Sequence, residues 1–366
     1  MKAVRIRGRP AASAIAGLAL PILSRMDPEI SHRLALAGIR LLRPLWPPAT
    51  TSTALVVHCL GLRFAHPVGL AAGFDKNGDY LDSLGAMGFS HIEVGTVTPR
   101  PQAGNPKPRL FRFAAAQALV NRMGFNNKGV DHLALKLARS RYGGIRGVSI
   151  GKNFDTPLER AQDDYVACLR KIYCHADYVA VNVSSPNTAR LRELQARAGL
   201  ERIIGSLLEE RRALAKQYGK IVPLLVKVAP DLDAEQISAL GRHLRSLEVD
   251  GVIATNTSSD LDGLGAATPS EHGGGLSGAP LHPKSLRVIA QLRAEMGANF
   301  PIVGVGGILG ARTALATLGA GANLIQIYTG FAYRGRSLLE EILDALEAGA
   351  NGSPTAPARI TCATPP

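Results

Sequence analysis

From residue 68 onward the apolar positions fall into short, recurring runs: Val68–Gly73, His91–Thr98, Gly147–Asn153, Tyr178–Ser185, Pro223–Pro230, Gly251–Thr257, Pro301–Gly307 and Leu324–Gly330. These runs are rich in β-branched residues and apolar at both alternating sets of positions, the pattern of strands buried on both faces. Most are separated by helical spacing of apolar residues, as in Leu200–Tyr218, Ala234–Leu247, Pro283–Met296 and Ala311–Leu318. Strands alternating with helices predict a parallel sheet, and eight of them predict a (β/α)8 barrel rather than a doubly wound sheet. The fold class is therefore α/β, a TIM barrel. The stretch 99–146 is too long for one βα connection and is expected to carry loops and strands of its own. Ahead of the barrel, "ALVVHCLGLRFAHP" reads as a short hairpin with Gly61 at its turn.

The chain before residue 46 has a different pattern. A mostly apolar stretch over 11–23, interrupted by Pro21, is too short to cross a bilayer. It is followed by Asp27 as N-cap, Pro28 at the first helical position and Glu29 in the first turn. The helix that follows places Ile30, Leu34, Ala37 and Leu41 on one stripe and Arg33, Arg40 and Arg43 elsewhere. Pattern alone leaves two arrangements open: helices lying on an anionic membrane surface, or a helical hairpin packed on the barrel. Residues 1–45 thus form a small N-terminal helical extension. "WPPATTSTA" (46–54) reads as a linker, 55–348 as the barrel and 349–366 as a disordered tail.

Charge sharpens this division. The formal net charge is +13, and residues 1–50 hold eight Lys/Arg against two acids. No basic stripe interleaved with aromatics occurs elsewhere, which argues against nucleic acid as partner. The four cysteines, Cys59, Cys168, Cys174 and Cys362, lack metal-ligand spacing and read as reduced thiols of a cytosolic compartment.

In a barrel of this kind the chemistry lies at the carboxyl ends of the strands. Here those ends read, in order, "AAGFDKNG", "EVGTVTP", "SIGKNFD", "NVSSPNT", "VKVAP", "ATNTS", "GVGGI" and "IYTGF". All are polar, glycine-rich or both. No metal-ligand cluster and no pair of carboxylates stands among them, so metal hydrolysis and glycoside chemistry are disfavoured. What remains is Lys76, Lys227, Asn121, Asn153, Asn182, Asn187, Asn256, several threonines and Ser185, donors and acceptors suited to a flat heterocycle. "GVGGI" and "YTG", with "GGGLSG" (273–278) adding glycine, match the phosphate site that loops after the last two strands build from backbone N–H groups. A flat cofactor with a phosphate implies FMN. Lys227 admits three readings: an ion pair in the barrel core, a Schiff-base lysine of a lyase, or a fixed cation near N1 of a reduced flavin.

Together, "GLAAGFDKNG", "EVGTVTP", "NRMGFNNKG", "NVSSPNT", "VKVAPD", "TNTS", "GGLSG", "VGVGGI" and "IYTG" closely resemble dihydroorotate dehydrogenase of the membrane-associated, quinone-reducing class. The match runs from about Asp27 to Ala348, and "DPEISHRLAL" is similar to the family's N-terminal helical extension. The resemblance implies oxidation of (S)-dihydroorotate to orotate in de novo pyrimidine synthesis, with one FMN per subunit and a membrane quinone, ubiquinone or menaquinone, as electron acceptor. It implies a peripheral enzyme on the cytoplasmic face of the cell membrane, with no obligate protein partner. For FMN it implies Ala72, Gly73, Phe74, Asp75, Lys76 and Thr96 from the first two strand ends. Asn153, Asn182, Lys227 and Thr255 follow, then Gly278, Gly307, Tyr328 and Thr329. For dihydroorotate it implies Lys76, the run Asn121, Arg122, Met123, Gly124 and Phe125, and then Asn182, Asn187, Asn256 and Thr257. Ser185 matches the base that removes the C5 proton while the C6 hydride goes to flavin N5. The soluble classes carry cysteine at that place, so serine implies the quinone-linked class. His32 and Arg33 are helical candidates for the quinone path.

Overall fold

The structure, a computed structural model, describes residues 10–46, 52–188, 190–195, 197–264 and 273–350. Eight parallel strands close into a barrel: β3 (Val68–Leu70), β4 (His91–Val97), β7 (Ile145–Ile150), β8 (Tyr178–Asn182), β9 (Leu224–Val228), β10 (Gly251–Ala254), β12 (Ile302–Val305) and β13 (Leu324–Ile327). All eight expected runs supply a barrel strand, most ending a few residues early. The difference lies at the polar carboxyl ends. Val183 to Ser185, for instance, lie past the end of β8, because the chain there leaves the ladder to turn over the barrel mouth. Main surrounding helices are the short α3 (Leu81–Gly85), α4 (Val130–Arg139), α5 (Ala161–Ile172), α6 (Arg197–Tyr218), α7 (Ala234–Ser246), α8 (His282–Met296), α9 (Ala311–Gly319) and α11 (Arg336–Ala350).

Besides a small cluster around Val120 and Leu276, two apolar cores result. One lies between barrel and helices and takes the outward side chains of the strands with residues such as Leu169, Leu207 and Ile289. The other fills the lower barrel interior with Leu225, Ile253, Val303 and Leu324. The expected hairpin, β1 (Val57–Cys59) and β2 (Leu62–Phe64), closes that end and adds Val57 and Phe64 to the inner core.

The stretch 99–146 carries β5 (Leu110–Phe113), β6 (Ala118–Asn121) and α4, as its length required. A third strand, β11 (Gly275–Gly278), pairs antiparallel with β6. "GLSG" is therefore a strand, paired with an edge distant in sequence despite the low strand preference of its glycines. The segment 46–54 is only partly a linker. Trp46 is buried beneath the Arg336 guanidinium, 5.0 Å from its ring centroid, and Thr53–Leu55 form a 3-10 turn. Residues 47–51 and the expected tail beyond 350 lie outside the described residues, while α11 runs to Ala350.

In the extension, α1 (Pro10–Leu23) continues through Pro21, and α2 (Pro28–Leu42) is capped by Asp27, whose carboxylate accepts from the N–H groups of Glu29 and Ile30. Glu29 makes a two-pronged ion pair with buried Arg109 (3.1 and 2.9 Å), and that guanidinium holds the Glu29 carboxyl below its usual range. Arg112, on β5, donates to the carbonyls of Ser24 and Met26. The two helices are thus pinned at their shared corner to the 99–146 segment rather than to a barrel strand. Their outer face leaves Ile15, Leu18, Ile22, Ile30, Leu34 and Leu41 exposed.

Two buried histidines make the fold sensitive to acid. Val68 N–H donates to Nδ1 of His66 and the opposite ring nitrogen, Nε2, meets the Gly88 carbonyl at 2.9 Å, a pattern only the neutral Nε2–H tautomer satisfies. His91 lies edge-on to Phe64 with neither ring nitrogen hydrogen-bonded. Burial pushes His66 down to about 4 and His91 to about 3. Both values lie below that of an unfolded histidine, so the stability they carry is complete above about pH 6.5 and drains as pH falls toward 4. By pH 5 the two together remove roughly 4 kcal/mol. Asp75, whose carboxyl burial raises, works in the opposite sense. Urea unfolding at pH 7 and pH 5 should show the drop, and His91→Leu should make it smaller by about 2 kcal/mol. An undiminished drop in that variant would exclude His91 as a contributor.

Candidate active site

The carboxyl ends of the strands surround a cavity of about 140 Å3 that opens at the barrel mouth. Among the described residues its charged lining residues are Lys76 and Lys227, and no carboxylate lines it. Burial, seconded by the Arg109 charge, lowers Lys76 to about 8, so it stays mostly protonated at neutral pH. Its ammonium donates to the Gly73 carbonyl at 2.8 Å.

A chain of amides and hydroxyls crosses the cavity wall. Asn182, at the end of β8, donates to Thr96 Oγ1 (2.8 Å), which sits 2.9 Å from Ser149 Oγ. Asn256 donates to Asn182 Oδ1 (3.1 Å) and Ser184 Oγ (3.0 Å). Asn187 donates to Asn121 Oδ1 (2.8 Å), and Asn121 in turn to the Gly275 carbonyl (3.2 Å). The partners fix the amide orientations and leave the Asn187 oxygen without a hydrogen bond. The two serines of "NVSSPNT" divide. Ser184 is fully buried and occupied by Asn256, whereas Ser185 lines the cavity and its Oγ accepts from Asn187 N–H at 3.3 Å.

At the far end, the chain after β12 turns through Gly306 and Gly307, and β13 leads at once into α10 (Thr329–Arg334). Gly307 has φ +68°, and a Cβ there would stand 2.5 Å from His282 Cβ. Gly278, at φ +97°, would set one 2.2 Å from the Gln117 carbonyl oxygen. Both positions admit only backbone, which makes a surface of N–H groups close enough to approach a phosphate. Thr329 Oγ1 donates to Ser277 Oγ at 2.9 Å and so joins α10 to β11.

Among the expected cofactor residues, Ala72, Gly73, Lys76, Thr96, Asn182 and Lys227 line the cavity, as do Thr255, Gly278, Gly307, Tyr328 and Thr329. Three stand outside it. Phe74 packs under Tyr328 and against His32; Asp75 accepts from the N–H groups of Asn77, Asp79 and Tyr80; Asn153 donates to Thr98, Arg100 and Gln102. Of the substrate residues, Asn121, Met123, Phe125, Asn187, Asn256 and Thr257 join Lys76 and Asn182 in the lining. Arg122 turns instead to Phe111 and the Pro108 carbonyl, and Gly124 lies outside. Ser277 and Gln326 line the cavity unforeseen. Gln326 sits inside an apolar run, where a lone buried amide in a barrel strand was the available signal. Of the two helical candidates, Arg33 is exposed, while His32 approaches the Phe74 carbonyl with Nε2 at 2.8 Å and is held near 4 by burial.

A closed parallel barrel with a polar, glycine-lined cavity at the carboxyl ends of its strands is the architecture of the (β/α)8 enzymes. Within that class, the family model described as dihydroorotate dehydrogenase matches residues 54–349, and the chain belongs to that family, one of oxidoreductases. It is 52% identical over 334 residues to the dihydroorotate dehydrogenase (quinone) of Alkalilimnicola ehrlichii, covering 89% of this chain and 97% of that one. It is 49% identical over 336 residues to the protein of that name from Pseudomonas aeruginosa strain UCBPP-PA14, covering 90% and 98%. A crystal structure of the Eimeria tenella enzyme in complex with ferulenol superposes with TM-score 0.81 at 34% identity, over 89% of this chain and 92% of that one.

Proposed function

We propose that this protein oxidises (S)-dihydroorotate to orotate and passes the electrons through one bound FMN to a membrane quinone, as a step of pyrimidine nucleotide synthesis. The observation that carries the reading is the cavity itself: among the described residues, two ammonium groups and no carboxylate, a wall of amides and a rim of backbone-only positions. It suits two anionic ligands, one with a phosphate and one with a carboxylate. Its relatives named for the quinone-linked reaction support the same conclusion.

The residues present fit FMN. Lys227 ends in the cavity with no hydrogen bond among the described residues, and the buried Gln326 Oε1 likewise has none. Gly278, Gly307 and the start of α10 offer backbone N–H groups for the phosphate, with Tyr328 and Thr329 beside them. When bound, FMN supplies the hydride acceptor. Lys76 pairs with the substrate carboxylate, while Asn121, Asn182, Asn187, Asn256 and Thr257 orient the pyrimidine edge. Ser185 Oγ takes the C5 proton. A hydroxyl is a weak base alone, and among the described residues no histidine or carboxylate lines the cavity to assist it. Proton loss is therefore coupled to hydride loss, and a water relays the proton onward from Ser185 Oγ.

The extension supplies the route to the membrane. Its exposed apolar side chains and basic residues suit an anionic lipid surface on the cytoplasmic side of the cell membrane. Among the described residues, no helix is long and apolar enough to cross a membrane. Edge-to-face contacts run from His32 to Phe74 (4.8 Å) and from Phe74 to Tyr328 (5.4 Å), a line from α2 to the cavity wall along which the quinone gains access.

Purified protein should be yellow, bleach on adding dihydroorotate without air, and recolour with a short-chain quinone. Protein that takes up no FMN, or whose colour dihydroorotate leaves unchanged, would overturn the proposal.

A further inference from the structure

Below the cavity floor the barrel encloses a charge that the proposed chemistry does not use. Glu93, on β4, is fully buried. Its Oε2 accepts two hydrogen bonds, from Tyr178 Oη on β8 (3.0 Å) and from Gln326 Nε2 on β13 (2.8 Å). Gln326 Nε2 also donates to Tyr178 Oη (3.0 Å), so the three side chains form a closed ring of contacts. Gly147 makes room for it, since a Cβ there would stand 2.1 Å from the Tyr178 ring. The other carboxylate oxygen, Oε1, has no hydrogen bond, and the Lys227 ammonium on β9 lies 4.0 Å from it.

That separation is informative. A buried ammonium with no counter-charge sheds its proton, because desolvation penalises the charged form. A carboxylate in direct contact would occupy its donors. At 4.0 Å the carboxylate supports the charge and leaves the N–H groups open to the cavity. Burial lowers Lys227 and Glu93 opposes that shift, the one charged group among the described residues that acts on it. Tyr178 and Gln326 occupy Oε2 and so keep Oε1 turned toward the lysine.

We propose that Glu93 is a positioning residue of the flavin site: clamped by Tyr178 and Gln326, it keeps Lys227 protonated and aimed into the cavity, where the ammonium stabilises the negative charge of reduced FMN. Taking up two electrons and one proton leaves the flavin with one additional negative charge, and the lysine offsets it. This inference rests on the FMN reading.

The decisive measurement is the midpoint potential of bound FMN in Glu93→Gln, by dithionite titration at pH 7. Loss of the lysine charge should weaken binding of reduced relative to oxidised FMN by about tenfold or more, a fall of about 30 mV for a two-electron couple. A rise overturns the proposal, since it would mean that Lys227 stays charged and only a repelling carboxylate was removed. No change overturns it equally. Tyr178→Phe, which loosens the clamp and keeps the ring, should give a smaller fall. Lys227→Met should lower the potential alone, and adding Glu93→Gln to it should lower it no further. In flavin-free protein, NMR of labelled lysine should find Lys227 charged at pH 7 in the wild type and neutral in Glu93→Gln. Should FMN fail to bind at all, the flavoprotein reading falls, while the lysine titration still decides whether Glu93 holds the proton.

Discussion

Ser185→Ala is expected to remain yellow and to lose at least ~100-fold in the rate at which dihydroorotate bleaches the flavin, the lower bound for removing a positioned proton acceptor. Ser185 Oγ faces the cavity, and the hydrogen bond it accepts from Asn187 N–H holds the hydroxyl without consuming its remaining lone pair. Replacing it deletes one oxygen and leaves the backbone turn intact. FMN content should not change, because the proposed phosphate cradle lies on other strand ends and Asn182, on this one, keeps its own hydrogen bond to Thr96. Ser184→Ala provides the contrast. That hydroxyl is buried against Asn256, so its loss should weaken substrate binding through a loosened amide before it touches the chemical step. Rapid mixing without air separates the two, and a near-normal bleaching rate in Ser185→Ala would show that another group takes the proton.

Gly307→Ala should cost FMN affinity at least ~30-fold and stability about 2–4 kcal/mol, from a left-handed backbone penalty plus overpacking. The reason is local and steric. The new methyl would stand 2.5 Å from His282 Cβ and 2.7 Å from His282 N and Cα, and these belong to the first residue of α8. Backbone cannot swing aside as a side chain can, so the turn after β12 must move, and the proposed phosphate cradle moves with it. Gly319→Ala is the control. A Cβ there meets nothing within 4 Å, and an alanine in a helix should stabilise by about 0.5–1 kcal/mol. Fluorescence titration of flavin-free protein with FMN measures the first effect and urea unfolding the second. Unaltered FMN affinity in Gly307→Ala would remove this turn from the cofactor site.

Much of the site was legible because barrels tie chemistry to strand ends. Once eight runs had been counted, "NVSSPNT", "ATNTS" and "IYTGF" had to share one rim, and Asn182, Asn256 and Thr329 do line one cavity. What escaped were positions whose role depends on direction. Asp75, Asn153 and Arg122 belong to segments that reach the rim, yet their side chains turn away to cap backbone or stack on Phe111. Residue type and spacing carry no information about that turn. The strand Gly275–Gly278 was hidden for a related reason: glycine argues for a loop, and its partner edge lies on β6, far back in the chain.

Taken alone, the sequence determined the number and order of barrel strands, the polar character of their ends, the amphipathic extension and the family motifs, because these are periodic or local properties of the chain. The tertiary structure decided which polar groups face one another. Glu93 and Gln326 are 233 positions apart, and only closure of the barrel brings both beneath Lys227. The same closure buries them beyond the reach of water, so a glutamate that would be unremarkable on a surface strand becomes the counter-charge of the site.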